Sequence, residues 1–179
     1  FFTSPREKRG LTLYPWQDSF VNDKSRYRLA ILSRQVGKST ASAILAIHKA
    51  FFTPNCLVLV AAPTKSQSYE LVTRMRTFLN TSRFTLWKDL QPSQRESTKE
   101  IRIKNAATYD AKGMKKPATW SRIIVVPATD AARGYSVDLA ILDEGDTVED
   151  GEYFYEQVLM PTVDATKGDV VVLGTPKSK

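Results

Sequence analysis

The sequence predicts an α/β fold: a mainly parallel central sheet flanked by helices, with an antiparallel extension. Three observations lead there. Four short apolar runs, at Tyr27–Leu32, Cys56–Ala62, Leu139–Leu142 and Asp169–Leu173, are spread along the chain. The last three carry no charge beyond a leading aspartate, as strands buried on both faces require. Segments with helical periodicity lie between the runs, and such alternation is the pattern of a parallel sheet.

Each element has its own signature. After the first run, Ile44, Leu45, Ile47 and Phe51 make a helical stripe over Ser39–Phe52. After the second, Thr64-Lys65-Ser66-Gln67 reads as a capping box, in which Thr64 caps the backbone and Gln67 reaches back. Leu71, Val72, Met75, Phe78 and Leu79 follow at helical spacing, as core residues. In the middle, Glu100–Lys104 alternates and Arg122–Val126 is a further strand candidate, so a hairpin or sheet extension is expected. The long loop between them carries Lys112, Gly113, Lys115 and Lys116, and is either a nucleic-acid contact or a solvated insertion. His48 and Cys56 are assigned to packing.

The 179 residues suit one domain, 1–179, and 42% hydrophobic with 25% charged residues excludes a disordered tail. The longest apolar stretch, Cys56–Pro63, is far short of the ~20 residues of a membrane helix. One cysteine and one histidine leave neither a disulfide framework nor a Cys/His metal cluster. Phe1-Phe2 is followed at once by Arg6, Lys8 and Arg9, which is not a secretory pattern. A soluble protein of a reducing compartment is expected.

Charge is uneven. The net +7 divides into 23 basic and 9 acidic residues over 1–135, against 3 and 10 over 136–179. The basic part favours a polyanionic partner, and the acidic part a divalent metal or a basic neighbour.

The strongest chemical signal is Ser33-Arg34-Gln35-Val36-Gly37-Lys38-Ser39-Thr40, between the first strand and the first long helix. Gly37 lets the backbone approach an anion, and the helix start supplies N–H donors and positive dipole. Lys38 adds charge on the β/γ-phosphates and Ser39 a hydroxyl for Mg²⁺. Leu32 stands where the usual pattern has its first glycine. Residues Ser33 to Thr40 are therefore the candidate nucleotide-binding loop.

Leu139-Ala-Ile-Leu-Asp143-Glu144 supports it as a buried strand ending in two carboxylates. Asp143 is assigned to the metal and Glu144 to the attacking water. Charge on the γ-phosphate in the transition state needs an arginine, and two are candidates. Arg34 would act from within the loop, and Arg133 from a loop that could face a neighbouring subunit; the alternative for either is a structural ion pair. In Leu13-Tyr14-Pro15-Trp16-Gln17, the Gln17 amide can pair with adenine N6 and N7, and Tyr14 or Trp16 can pack on the base. Gly174-Thr175-Pro176 ends the last strand, where Thr175 could sense the γ-phosphate.

Together these residues resemble the ATPase domain of the large terminase subunit, the motor that packages DNA into tailed-virus heads. The Ser-Arg-Gln-x-Gly-Lys-Ser loop is the most specific match. Tyr14-Pro15-Trp16-Gln17, Ala62-Pro63-Thr64, Arg133-Gly134, the Leu142-Asp143-Glu144 strand end and Gly174-Thr175-Pro176 fall in that family's order, from about Leu11 to Pro176. The resemblance implies a RecA-like (ASCE-type) P-loop NTPase using ATP and Mg²⁺, with Gln17 as adenine reader, Arg34 as loop arginine and Arg133 as a finger donated in trans. It implies double-stranded DNA, the portal of the procapsid and the small terminase subunit as partners, a homo-oligomeric ring when active, and the host cytoplasm as the place of work. Gly174-Thr175-Pro176 matches the segment coupling hydrolysis to movement, although Lys177-Ser178-Lys179 stands where a further glycine is usual. No DNA-cutting activity is expected of residues 1–179. Two alternatives share the loop: a helicase-like translocase, which single-stranded DNA would stimulate, and a non-hydrolysing DNA-binding module switched by ATP.

Overall fold

The structure, a computed structural model, describes residues 12–81, 97–105, 108–109 and 114–176. Among these, six strands form one sheet in the order β1-β8-β7-β2-β6-β3. They are β1 (Tyr27–Ile31), β2 (Leu57–Ala62), β3 (Glu100–Lys104), β6 (Trp120–Pro127), β7 (Leu139–Leu142) and β8 (Asp169–Gly174). All pairings are parallel except β3 with β6. The expected extension is therefore β3 on the outer edge of β6. Within the long loop a small ribbon joins β4 (Thr108–Tyr109) to β5 (Lys115–Lys116); Lys112 and Gly113 lie outside the described residues.

Helices α1 (Pro15–Asn22), α2 (Lys38–Phe52) and α3 (Lys65–Thr81) are joined later by a winding helix. That helix begins as α4 (Gly151–Tyr153), takes a π-helical course over Phe154–Leu159 and ends as α5 (Met160–Asp164). The sheet separates two apolar clusters. One packs α2 and α3 on Val58, Val60, Ile141 and Val171. The other packs Phe154, Val158, Leu159 and Val163 on Leu59, Ala140, Leu142 and Val170.

Helix α2 differs from the amphipathic stripe expected. Every residue from Ala41 to Ile47 is buried, because α1 and α3 flank the helix while the sheet lies beneath it. Ala41, Ala43, Ala46 and Ala50 are small enough to let these neighbours close in. Cys56 is in the core as expected, whereas His48 is exposed, its ring 4.6 Å from that of Phe52.

The outer edge of β3 is guarded by charge. Glu100 pairs with Arg102 and with Arg122 of β6, both at 2.8 Å, offsetting the repulsion of two arginines that face one another in register. Ile141, fully buried, packs at the sheet centre beneath α2. Ile141→Ala should cost about 2–5 kcal/mol in urea unfolding, and Leu29→Ala, at 66% exposure on β1, about 0.5 kcal/mol or less.

Candidate functional site

The parallel strands bring the ends of β1, β2, β7 and β8 to one side of the sheet, where the sequence motifs meet. The loop from β1 to α2 turns through left-handed conformations at Gln35 (φ 63°) and Gly37 (φ 86°). Glycine is required at position 37 on two counts. Its φ disfavours a side chain, and a Cβ there would lie 2.6 Å from Gln17 Nε2. No side chain caps the N-terminus of α2 and no acidic residue stands in its first turn, leaving its donors and dipole for an anion. Lys38, 7% exposed, folds back across the loop and donates to the carbonyls of Leu32 (3.0 Å) and Ser33 (2.8 Å).

Asp143, at the end of β7, is 3% exposed. Its backbone is fixed by β2, with its N–H donating to Ala61 O at 2.9 Å. Ser42 Oγ donates to Oδ1 at 3.2 Å, and Ser39 lines the same cavity as the carboxylate. Burial pushes the Asp143 carboxyl up from its ordinary range; the Ser39 and Ser42 hydroxyls partly offset this, Glu144 adds repulsion and Arg74 attraction. Glu144 adopts a left-handed conformation (φ 53°) and accepts from Gln67 Nε2 at 2.5 Å. A cavity of about 100 Å³ opens here, between Ser39, Pro63, Gln67, Arg74, Asp143 and Glu144.

Three residues now belong with the site that the sequence did not assign to it. Thr64 caps α3 as expected, accepting from Gln67 N at 3.2 Å, but the Gln67 side chain reaches back to the Thr64 hydroxyl (2.9 Å) rather than to backbone, and its amide nitrogen goes to Glu144. Arg74 donates to Thr40 Oγ1 at 3.1 Å from one turn further along α3 than Glu70. Asp146 accepts from the backbone of Thr175 at 2.7 Å. For Gln67 and Arg74 the available signal was polar residues one heptad apart on α3, along the border of the stripe from Leu71 to Leu79.

Gln17 lies otherwise than base reading alone would require. It is 3% exposed, its Nε2 donates to Gly37 O at 3.0 Å and its Oε1 accepts from Tyr14 N at 2.9 Å. One N–H and one lone pair of the amide remain for another partner. Tyr14 is 62% exposed, while Trp16 is half-buried with its ring 6.3 Å from Phe20. Ser33, Arg34 and Gln35 are exposed on the loop, Val36 half-buried.

Arg133 does not join the others. It follows β6 and a short 3-10 turn, Asp130–Ala132, whose Ala132 belongs to the apolar cluster on the face opposite α2. Its guanidinium pairs with Asp130 at 2.8 Å and donates to the Tyr153 hydroxyl at 2.6 Å, while lying 5.7 Å from the Tyr153 ring centre.

The sequence profile described as terminase large subunit, T4likevirus-type, N-terminal, matches residues 29–166. The chain belongs to this family. The large terminase subunit of Thermus phage G20c is 27% identical over 161 residues, covering 86% of this chain and 31% of that protein. The chain thus spans about a third of that relative's length. The large terminase ATPase domain of Thermus phage P74-26 superposes with a TM-score of 0.76 at 22% identity, over 95% of this chain and 67% of that one. The UvsW helicase of bacteriophage T4 gives 0.61 at 11% identity, over 97% and 55%. The terminase chain therefore has the RecA-like P-loop fold that its motifs imply.

Burial of Asp143 has a measurable consequence. A carboxyl whose pKa is raised on folding costs stability above that pKa, and the cost fades as pH falls towards the unfolded value. Asp143→Asn should therefore raise the melting temperature of the nucleotide-free protein at pH 7–8 and flatten this part of its pH dependence. Scanning calorimetry across pH checks it; a lower melting temperature at neutral pH would refute the account.

Proposed function

We propose that this terminase chain is a single ATPase domain, 1–179, that hydrolyses ATP to drive viral double-stranded DNA into a procapsid. The observation that carries the proposal is the cavity lined together by Ser39, the hydroxyl residue that follows Lys38, and by Asp143 and Glu144 from the end of a separate strand, with Asp143 buried. Ser39 and Asp143 have the oxygen donors Mg²⁺ takes from protein when the remaining positions go to phosphate and water. The fit is to a metal arriving with its nucleotide: among the described residues no three His, Cys, Asp or Glu side chains cluster as a metal cage. Bound there, Mg²⁺ would neutralise developing charge on the phosphates.

The protein's own residues supply the rest. The loop backbone from Ser33 to Thr40 and the start of α2 bind the phosphates. Lys38 exchanges the carbonyls of Leu32 and Ser33 for phosphate oxygens, so nucleotide replaces an interaction already made within the loop. Glu144, held by Gln67 at the mouth of the cavity, orients water and takes its proton. Thr175, beside the turn that carries Glu144, senses the γ-phosphate. Gln17 contacts adenine through its remaining N–H and lone pair while its other bonds hold the loop. Arg34, exposed with no partner among the described residues, adds charge in its own subunit, and Arg133 serves the site of a neighbour in a homo-oligomeric ring. The basic surface of residues 1–135 meets DNA. The portal and the small terminase subunit are the remaining partners, in the host cytoplasm. Among the described residues no helix is long and apolar enough to cross a membrane.

The test is steady-state ATP hydrolysis over a wide range of protein concentration. Lys38→Ala should fall to background, and Glu144→Gln should keep ATP affinity within about threefold while losing about 100-fold or more in kcat. Normal turnover in Glu144→Gln would remove the assigned base. Strong stimulation by single-stranded DNA alone would favour a helicase-like translocase, and ATP binding with no turnover in the parent protein a switch.

A separate experiment addresses Arg133. Specific activity should rise with concentration, and mixing Arg133→Ala with Glu144→Gln should restore part of it, because each supplies what the other lacks. Absence of recovery would return the catalytic arginine to Arg34.

A further inference from the structure

We propose that Asp146 is a positioning residue that ties the Gly174-Thr175 segment to the turn carrying Glu144, coupling the phosphate loop to the catalytic carboxylate; this deepens the ATPase reading and rests on it. Asp146 stands two residues after Glu144, on the 3-10 turn Gly145–Thr147. Its Oδ1 accepts from Thr175 N at 2.7 Å, a charge-assisted bond to backbone rather than to side chain. The fit depends on glycine: a Cβ on Gly174 would come within 3.2 Å of the same Oδ1.

The other side of this segment faces the phosphate loop. Gly174 O accepts from Leu32 N at 3.0 Å, and Leu32 O accepts from Lys38 Nζ at 3.0 Å. A continuous set of hydrogen bonds therefore runs from Lys38 through Leu32, Gly174 and Thr175 to Asp146. Gly145 closes the arrangement, since a Cβ there would lie 3.1 Å from both Leu142 and Val172, leaving the turn wedged between β7 and β8. Glu144 is held in a backbone well that a non-glycine residue leaves unless its neighbours hold it. When Lys38 turns to phosphate it gives up Leu32, and the strain of that exchange reaches Glu144 through Asp146. Asp146 itself need touch no nucleotide.

The experiment uses the 179-residue chain and compares Asp146→Ala, Asp146→Asn and Gly174→Ala. Asn keeps a neutral acceptor and Ala does not. Asp146→Ala should lower kcat about tenfold or more with KM for ATP within about threefold, and Asp146→Asn should recover most of the loss. Gly174→Ala, which displaces the same oxygen by a few tenths of an ångström, should lower kcat in the same direction but by less than Asp146→Ala, and adding it to Asp146→Ala should cost no more, because both act on one bond. Unchanged kcat in Asp146→Ala, a defect confined to KM, or Asn as damaging as Ala would overturn the proposal. Amide hydrogen exchange decides it independently of turnover. Mg·ATP should slow exchange over residues 144–147 in the parent protein and not in Asp146→Ala. Equal protection in both, or none in the parent, would overturn the coupling. A parent protein that shows this protection without hydrolysing ATP would remove the ATPase reading and leave the coupling standing.

Discussion

A carboxylate taken out of water needs other polar groups around it, and the site is organised by how Asp143 meets that need. At 3% exposure it relies on the Ser42 hydroxyl, with Ser39 lining the same cavity, both from the first turns of α2. The Ser42 bond fastens the start of α2 to the end of β7, although the two are about 100 residues apart in the chain. The start of α2 is also the uncapped helix end to which the proposed function assigns the phosphates, so the interaction that accommodates the buried charge aligns that loop with the carboxylates. Replacing Asp143 by an apolar residue would improve the core and remove the reason for Ser42 to face β7.

The loop is also held by contacts of the protein's own side chains. Lys38 lies on two carbonyls of its own loop, and Gln17 bridges Gly37 and the start of α1. The backbone thus has its left-handed turns at Gln35 and Gly37 already formed, which lowers the conformational entropy a ligand would have to remove. The Lys38 bonds are neutral-carbonyl contacts to a cation, weaker than those a phosphate would make, so exchange favours the ligand. Gln17 connects any change at the loop to α1, which packs on the flank of α2.

The strands were legible because burial on both faces demands apolar residues: Leu57–Ala62 and Leu139–Leu142 are covered above and below. The phosphate loop was legible because its glycine and lysine do work that few other residues can. Helix α1 was not, being only eight residues, with Phe20 and Val21 only partly buried against the core and the polar Gln17 as its one fully buried side chain. The helix over 151–164 was hidden by an acidic approach, by Pro161 and by a π-helical course that breaks the 3.6-residue period. Gln67 illustrates another limit. Local spacing identified it as a cap, but its contact with Glu144 joins residues 77 apart and depends on the order of β2 beside β7.

Sheet topology bears on the two arginines in the same way. Counted from β1, β6 is the fifth strand, so at about 4.8 Å per strand its end is roughly 19 Å from that of β1. Arg133 leaves that far end on the face opposite α2, and its charge is engaged by Asp130 and Tyr153. Within one chain the width of the sheet therefore separates it from the loop. Yet the engagement is exposed, with the Arg133 side chain 49% and Asp130 68% accessible, where an ion pair contributes little. A guanidinium so weakly held loses little by leaving for phosphate oxygens on a second molecule, where bidentate contact and a drier setting strengthen it. Arg34 is under no such separation, since it belongs to the loop itself. On the proposed reading the two arginines divide the work: one is available wherever nucleotide binds, and the other only when a neighbour is present.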